Sequence, residues 1–231
     1  MTLPDTGVRP PQQRRSRESL ERVLHAGARV LAEKGYDGFT VAEVSRAAKV
    51  SIGSVYGRFA SKDALVLEIH RRMLERLAEP TVDGVLAVGD DPALDLRGVV
   101  EGATRRFADA TNAERALLRA FMLRGPVDPR IAGPGSAASH AAGRAFRTVV
   151  LTRRDEIGHP SPELAADIAY RMTYDVLSRH VMYGPTFESD SDHTWDELVS
   201  ELIEASVAYL RHGGRRAPIP PAAVTRPAAA M

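Results

Sequence analysis

Apolar residues recur along this chain at intervals of three and four, and no stretch alternates convincingly at intervals of two. From Ser16 onward, Leu20, Val23, Leu24, Val30 and Leu31 keep the first spacing, with Gly27 and Ala28 filling the intermediate turn. That is the period of an amphipathic helix. Lys34 falls in its last turn and Gly35 follows as a C-terminal stop. Thr40-Val-Ala-Glu43 reads as a capping box opening a second helix, with Val41, Val44, Ala47 and Ala48 on its inner face. Lys49-Val50 makes a turn. Ser51 then caps a short third helix, Ile52 to about Phe59, with Val55 and Phe59 pointing inward. Ser61-Lys-Asp caps a fourth, striped by Leu65, Ile69, Met73 and Leu77 and ended by Pro80.

Residues 80–92 are rich in Gly, Pro and Asp and predict a loop and a domain boundary. Helical patterns resume near 93–110, 113–124, 136–156, 162–183 and 194–212, the third preceded by Gly133-Pro-Gly135. Thr111-Asn-Ala-Glu114 and Thr194-Trp-Asp-Glu197 read as further capping boxes, and Ser161-Pro162 as an N-cap with Pro at the first helical position. The expected fold is all-α. Residues 1–15 form a disordered arm, 16–60 a three-helix head and 61–79 a connecting helix. Residues 93–212 form a helical body and 213–231 a disordered tail.

Composition changes this picture little. Of 231 residues 44% are apolar, enough for a core, and no run approaches the ~20 residues that span a bilayer. No membrane partner is expected. The polar N-terminus lacks the apolar segment of a secretory signal, which suggests the cytoplasm. Cys is absent, which excludes disulfides, iron–sulfur clusters, Cys-ligated zinc and thiol catalysis. A net charge of +1 hides an asymmetry: residues 1–75 carry +4 and the remainder −3. The sign split suits a head that faces a polyanion.

Residues 40–63 hold two short helices joined by a tight turn, then the cap of another. This is the helix-turn-helix arrangement, whose second helix enters the major groove, so the implied partner is double-stranded DNA. The outward positions of the third helix are Ser51, Ile52, Gly53, Ser54, Tyr56 and Arg58. Gly53 costs roughly 1 kcal/mol of helix propensity against Ala. Either close approach to the duplex or packing against the first helix would account for it. Ser54 can exchange hydrogen bonds with base or phosphate, and Tyr56 can cover a thymine methyl and donate to phosphate. Thr40 and Lys62 stand at helix N-termini, where phosphate binds readily. Arg14, Arg15 and Arg17 suggest a minor-groove arm or a solvated basic tail.

Between residues 32 and 65 the chain resembles the DNA-binding head of the TetR family of one-component transcriptional repressors. The resemblance runs through Gly35-Tyr36, Phe39-Thr40-Val41, Ala47-Ala48, Val50-Ser51, Gly53, Val55-Tyr56, Phe59 and Ser61-Lys62-Asp63-Ala64-Leu65. Gly57 departs from the family pattern, in which a larger side chain is common. A phosphate contact there would fall to the backbone or to Arg58. The resemblance makes Tyr56 the first choice for a DNA contact and adds weight to Lys62. It also implies a homodimer on a palindromic operator and a ligand-released repressor. The dimer would use the last two helices, with Leu164, Ile168, Met172, Val176, Leu198, Leu202, Ala205 and Val207 as candidates. An implied small-molecule effector would meet Phe107, Phe121, Met122, Phe146, Met172, Tyr174, His180 and Tyr183, with Arg105 or His140 as further polar handles.

Two rival readings compete. One is an enzyme carrying a DNA-binding head. His140, His159, His180 and His193 form no HExxH motif, and no GxSxG, P-loop or dinucleotide fingerprint is present. No catalytic residue, metal or cofactor is expected. The other is an architectural DNA binder without a ligand. Activation and repression are not separable, because both would use the same head.

Overall fold

The computed structural model describes residues 11–213, with side chains from Ser16. Among these residues the chain is helical and contains no strand. α1 spans Pro11–Gly38, α2 Val41–Ala48, α3 Ile52–Tyr56, α4 Lys62–Gly89 and α5 Leu96–Ala113. α6 spans Arg115–Arg124, α7 Pro129–Leu151, α8 Pro162–Tyr183 and α9 Trp195–His212. Short 3-10 turns at Gly125–Val127 and Arg154–Glu156 precede α7 and follow it. Among the described residues no helix is long and apolar enough to cross a membrane.

Local chemistry sets most helix ends. Gly35 breaks α1 with φ 67° and ψ −178°, a conformation costly to any residue with a Cβ. Ser51 and Ser61 accept the backbone N–H of Ser54 and Ala64, and Thr194 forms the full capping box with Glu197. Thr40 accepts the Glu43 N–H, but the Glu43 carboxylate is drawn to Lys34, so only half of that expected box forms. Between α2 and α3, Lys49 adopts the left-handed conformation at φ 55°. The Ser45 hydroxyl donates to the Val50 carbonyl at 2.6 Å and holds this turn.

Several boundaries differ from the sequence expectation. α1 begins at Pro11 rather than Ser16, because Pro at the first helical position has its φ preset. Residues 11–15 are therefore helical, which removes the free arm expected for Arg14 and Arg15. Residues 1–10 and the tail from 214 lie outside the described residues. Pro80 does not end α4. Its ring removes one backbone hydrogen bond, a cost of roughly 3 kcal/mol in a helix interior. Burial of Thr81 and Val85 against α5 and α7 offsets that, and the Thr81 hydroxyl donates to the Leu77 carbonyl beside the gap. The expected loop over 80–92 shrinks to the few residues before Asp95, the N-cap of α5. Gly133-Pro-Gly135 likewise falls inside α7, whose cap is Asp128 and whose first residue is Pro129. Thr111 caps nothing: it is buried in α5 and donates to the Phe107 carbonyl at 2.8 Å.

Two apolar cores result. Val23, Leu31, Phe39, Val44, Val55 and Leu65 close the head, and Leu118, Phe121, Ile131 and Val181 extend that core into the body. The second joins α5, α7, α8 and α9 around Val99, Phe146, Ala169 and Ile203. α4 contributes to both. α7 and α8 approach closely at Gly143, where a Cβ would stand 2.6 Å from Cε1 of the Tyr170 ring. Gly143→Ala is expected to lower stability by roughly 1–3 kcal/mol through overpacking. Urea unfolding measures it, and an unchanged midpoint would mean that the Tyr170 ring can move aside.

Candidate DNA-binding face and body cavity

α3 presents two unlike sides. Val55 and Phe59 are buried in the head core. Ile52 and Tyr56, one turn apart, are 46% and 52% exposed, unusual for side chains of their size. Ser51, Gly53 and Arg58 are exposed beside them and Ser54 is half-buried. No atom lies within 4 Å of the point where a Gly53 Cβ would stand. Packing against α1 therefore does not account for this glycine.

The predicted cations are less free than their sequence suggests. Arg58 donates to the Ser54 carbonyl and hydroxyl at 3.0 and 2.8 Å and to the Ser16 hydroxyl at 3.2 Å, tying α3 to the start of α1. Lys62 donates to the Tyr36 carbonyl at 2.6 Å and lies 4.3 Å from the centre of the Tyr36 ring. Thr40 is exposed at the head of α2. Arg17 is exposed on α1. One basic surface escaped the sequence reading: Arg22, His25 and Arg29 of α1 line a shallow concavity with Lys49. Their spacing of three and four was the available signal.

A charged cluster links the head to the body. Tyr36 at the end of α1 donates its hydroxyl to Asp63 in the first turn of α4. Arg130, at the start of α7, bridges Asp63 at 2.9 Å and Asp128 at 2.8 Å. The Arg124 guanidinium lies 3.8 Å from the centre of the Tyr36 ring. The hydrogen bonds from Tyr36 and then Arg130 lower the pKa of Asp63. Those from Arg130 hold Asp128 down at about 2.

Beneath this cluster a cleft of about 1030 Å³ opens between α7 and α8. Arg147 meets Asp167 at 2.6 Å and Ser139 meets Tyr170 at 3.3 Å, so the two helices run antiparallel. His70 of α4 and Phe121 and Met122 of α6 close the end nearest the head. The ring centres of His70 and Phe121 are 4.5 Å apart, and burial lowers the His70 pKa.

Of the residues expected at a ligand, Phe121, Met122, Tyr174 and His140 line this cleft. The others do not. Phe107 and Phe146 pack on Tyr170 within the body core. His180 stands edge-on to Trp195, and Tyr183 stacks on Phe187. Met172 packs against the body core, and Arg105 pairs with Glu101. The helical period explains the split: positions 170, 174 and 178 face the cleft, whereas 172, 176 and 180 point nearly the opposite way. The sequence reading missed His70, Ser178 and Arg144. His70 lay within an apolar stripe and read as core.

The dimer candidates also divide. Leu164 and Val176 are 53% and 37% exposed on α8. Ile168, Met172 and Leu198 are half-buried, and Ala205 is exposed. Leu202 and Val207 are buried in their own body core, because α9 must itself cover one side.

An uncovered helix-turn-helix on a helical body defines the class of fold. Residues 23–69 match the family model for bacterial regulatory proteins of the tetR family. The resemblance to that family lies in the head, and the fold as a whole is similar to solved regulators. Over 100 residues it is 31% identical to the HTH-type transcriptional regulator BetI of Stenotrophomonas maltophilia (strain R551-3). That match covers 43% of this chain and 47% of the relative, so it spans about half the relative's length. A TetR-family regulator from Mesorhizobium loti MAFF303099 superposes with a TM-score of 0.66 at 19% identity, over 85% of this chain and 96% of the other. A transcriptional regulator from Rhodococcus sp. RHA1 gives 0.62 at 21%, over 84% and 96%.

The Asp63–Arg130–Asp128 cluster has a pH signature. Its carboxyl pKa values are depressed in the folded chain, so its stabilisation is complete above the usual carboxylate range, about 4. It is lost as pH falls from there toward 2. Asp128→Asn, which can still cap α7, is expected to flatten the acid limb of stability in that window. Thermal melts between those pH values measure it, and an unchanged slope would mean that the cluster contributes nothing.

Proposed function

We propose that this protein is a ligand-responsive transcriptional repressor that binds palindromic duplex DNA as a homodimer. The uncovered outer side of α3 carries the reading. Ser51, Ile52, Gly53 and Tyr56 form a surface of small, apolar and hydroxyl groups suited to the major groove, where thymine methyls and base-edge donors and acceptors lie. Ser54 reaches base or phosphate once Arg58 exchanges its internal bond for a phosphate oxygen. Lys62 keeps the Tyr36 carbonyl and still has two N–H groups for the backbone. The capped N-termini of α2 and α4 add partial positive charge, with Thr40 at the first.

A single head reads few base pairs, and two-fold pairing doubles the site. In this reading the outer sides of α8 and α9 join two chains through Leu164, Ile168, Val176 and Ala205, with Met172 and Leu198 at the margin. The effector occupies the cleft between α7 and α8. Its coupling to DNA runs through α4, which carries His70 at the cleft and Lys62 at the head, and through Arg130, which joins α7 to Asp63. An effector that prefers one spacing of the heads shifts the population toward it. The protein works in the cytoplasm and needs no catalytic step.

Tyr56→Ala is expected to weaken operator binding about tenfold or more while helicity stays intact, as measured by fluorescence anisotropy beside circular dichroism. Unchanged affinity would sink the proposed orientation of α3. In multi-angle light scattering the chain is expected to run as a dimer, and Val176→Arg to shift it toward monomer. A monomeric parent would remove the palindrome argument.

A further inference from the structure

We infer that the cleft between α7 and α8 takes an elongated amphipathic carboxylate, its acid group at the end far from the head and a hydroxyl or carbonyl at His70 and Ser178. This inference rests on the effector role proposed above and adds the chemical class.

Length comes first. The cleft is lined from Ile131 to Arg147 along α7 and from Asp167 to Met182 along α8. At the helical rise these runs are about 22–24 Å long, a shape for a chain or a string of rings rather than a compact molecule.

Charge divides the two ends. At the far end three guanidiniums, those of Arg144, Arg147 and Arg171, face the cleft beside one carboxylate, Asp167. Asp167 already accepts from both Arg147, at 2.6 Å, and Arg171, at 2.7 Å. Arg144 has no partner among the described residues. The far end therefore holds uncompensated positive charge and a free forked donor, which suits a carboxylate. Further along α8, Asp175 and Arg179 also face the cleft with opposite signs, and Arg179 pairs with Glu188.

The near end is built otherwise. Phe121, Met122, Ile131 and Met182 make it apolar. Among the polar side chains that interrupt that surface are His70 and Ser178. His70 is 3% exposed and Ser178 8%, and neither has a hydrogen-bond partner among the described residues. Both face the cleft. Their polar atoms open onto the cleft, where a ligand hydroxyl or carbonyl would give each a partner. Burial disfavours the imidazolium of His70, so this side chain offers a hydrogen bond rather than a charge.

The test titrates the full-length protein with ω-hydroxyhexadecanoate, unsubstituted hexadecanoate, the α,ω-diol and the ω-hydroxy amine of equal length, by calorimetry. The hydroxy acid is expected to bind about tenfold or more tighter than the diol and the amine. Arg144→Ala, at an exposed position, is expected to abolish that preference while leaving diol affinity unchanged. Ser178→Ala and His70→Phe are expected to erase the advantage of the hydroxy acid over hexadecanoate. Ser178→Ala serves alone if the buried His70 variant fails to fold. Equal or tighter binding of the amine or diol, no binding of either acid, or an unaltered preference in Arg144→Ala would overturn the inference. Operator-bound protein titrated in parallel separates the two readings. Acid that binds with these preferences yet releases no DNA leaves the ligand class standing and removes the release mechanism. A different compound that releases DNA while the acids fail to bind does the reverse.

Discussion

Two hydrophobic cores depend on one helix. The first half of α4 gives Leu65, Val66, Ile69 and Met73 to the head, and its second half gives Val85 to the body. Burial of a side chain of that size is worth about 1.5–3 kcal/mol. Neither half can shift far along its axis without uncovering several such groups. A rod of 28 residues fixed at both ends carries displacement rather than absorbing it. His70, between the two sets, puts the cleft in contact with the same rod. Packed cores favour a few discrete arrangements over continuous deformation, the property that the proposed effector coupling through α4 requires.

The charged cluster around Arg130 makes a second connection, different in kind. It joins three chain segments through directional bonds on a partly exposed surface: the end of α1, the start of α4 and the start of α7. Its energy is modest beside the apolar cores, because water competes for each partner. Its geometry is what matters. Arg130 stands one residue before Ile131, which lines the cleft, so a change in the opening turn of α7 reaches Asp63 directly. Asp63 lies seven residues beyond Tyr56, the last residue of α3.

The head was legible in the sequence because its signals are local. The caps at Thr40, Ser51 and Ser61, the stop at Gly35 and the inward pair Val55 and Phe59 each depend on neighbours a few residues away. α8 and α9 were legible for the same reason. The errors arose where tertiary burial outweighed a local breaker: Pro80 inside α4, Pro134 inside α7 and Thr111 turned into α5. The cleft was half legible. Aromatic and sulfur-bearing residues could be picked by type, but which of them face a cavity depends on how α7 and α8 are rotated about their axes. Phe121 and Tyr174 line the cleft, whereas Phe146 and His180 do not. The internal bonds of Arg58 and Lys62 needed coordinates, since Ser16 and Tyr36 are remote in sequence.

The open space at Gly53 bears on how such a head diversifies. With no chain atom within 4 Å of a would-be Cβ, a methyl group there would displace nothing. Alanine would even gain roughly 1 kcal/mol of helical preference. If this face meets DNA as proposed, its surface chemistry can change at this point with little demand on the packing beneath it.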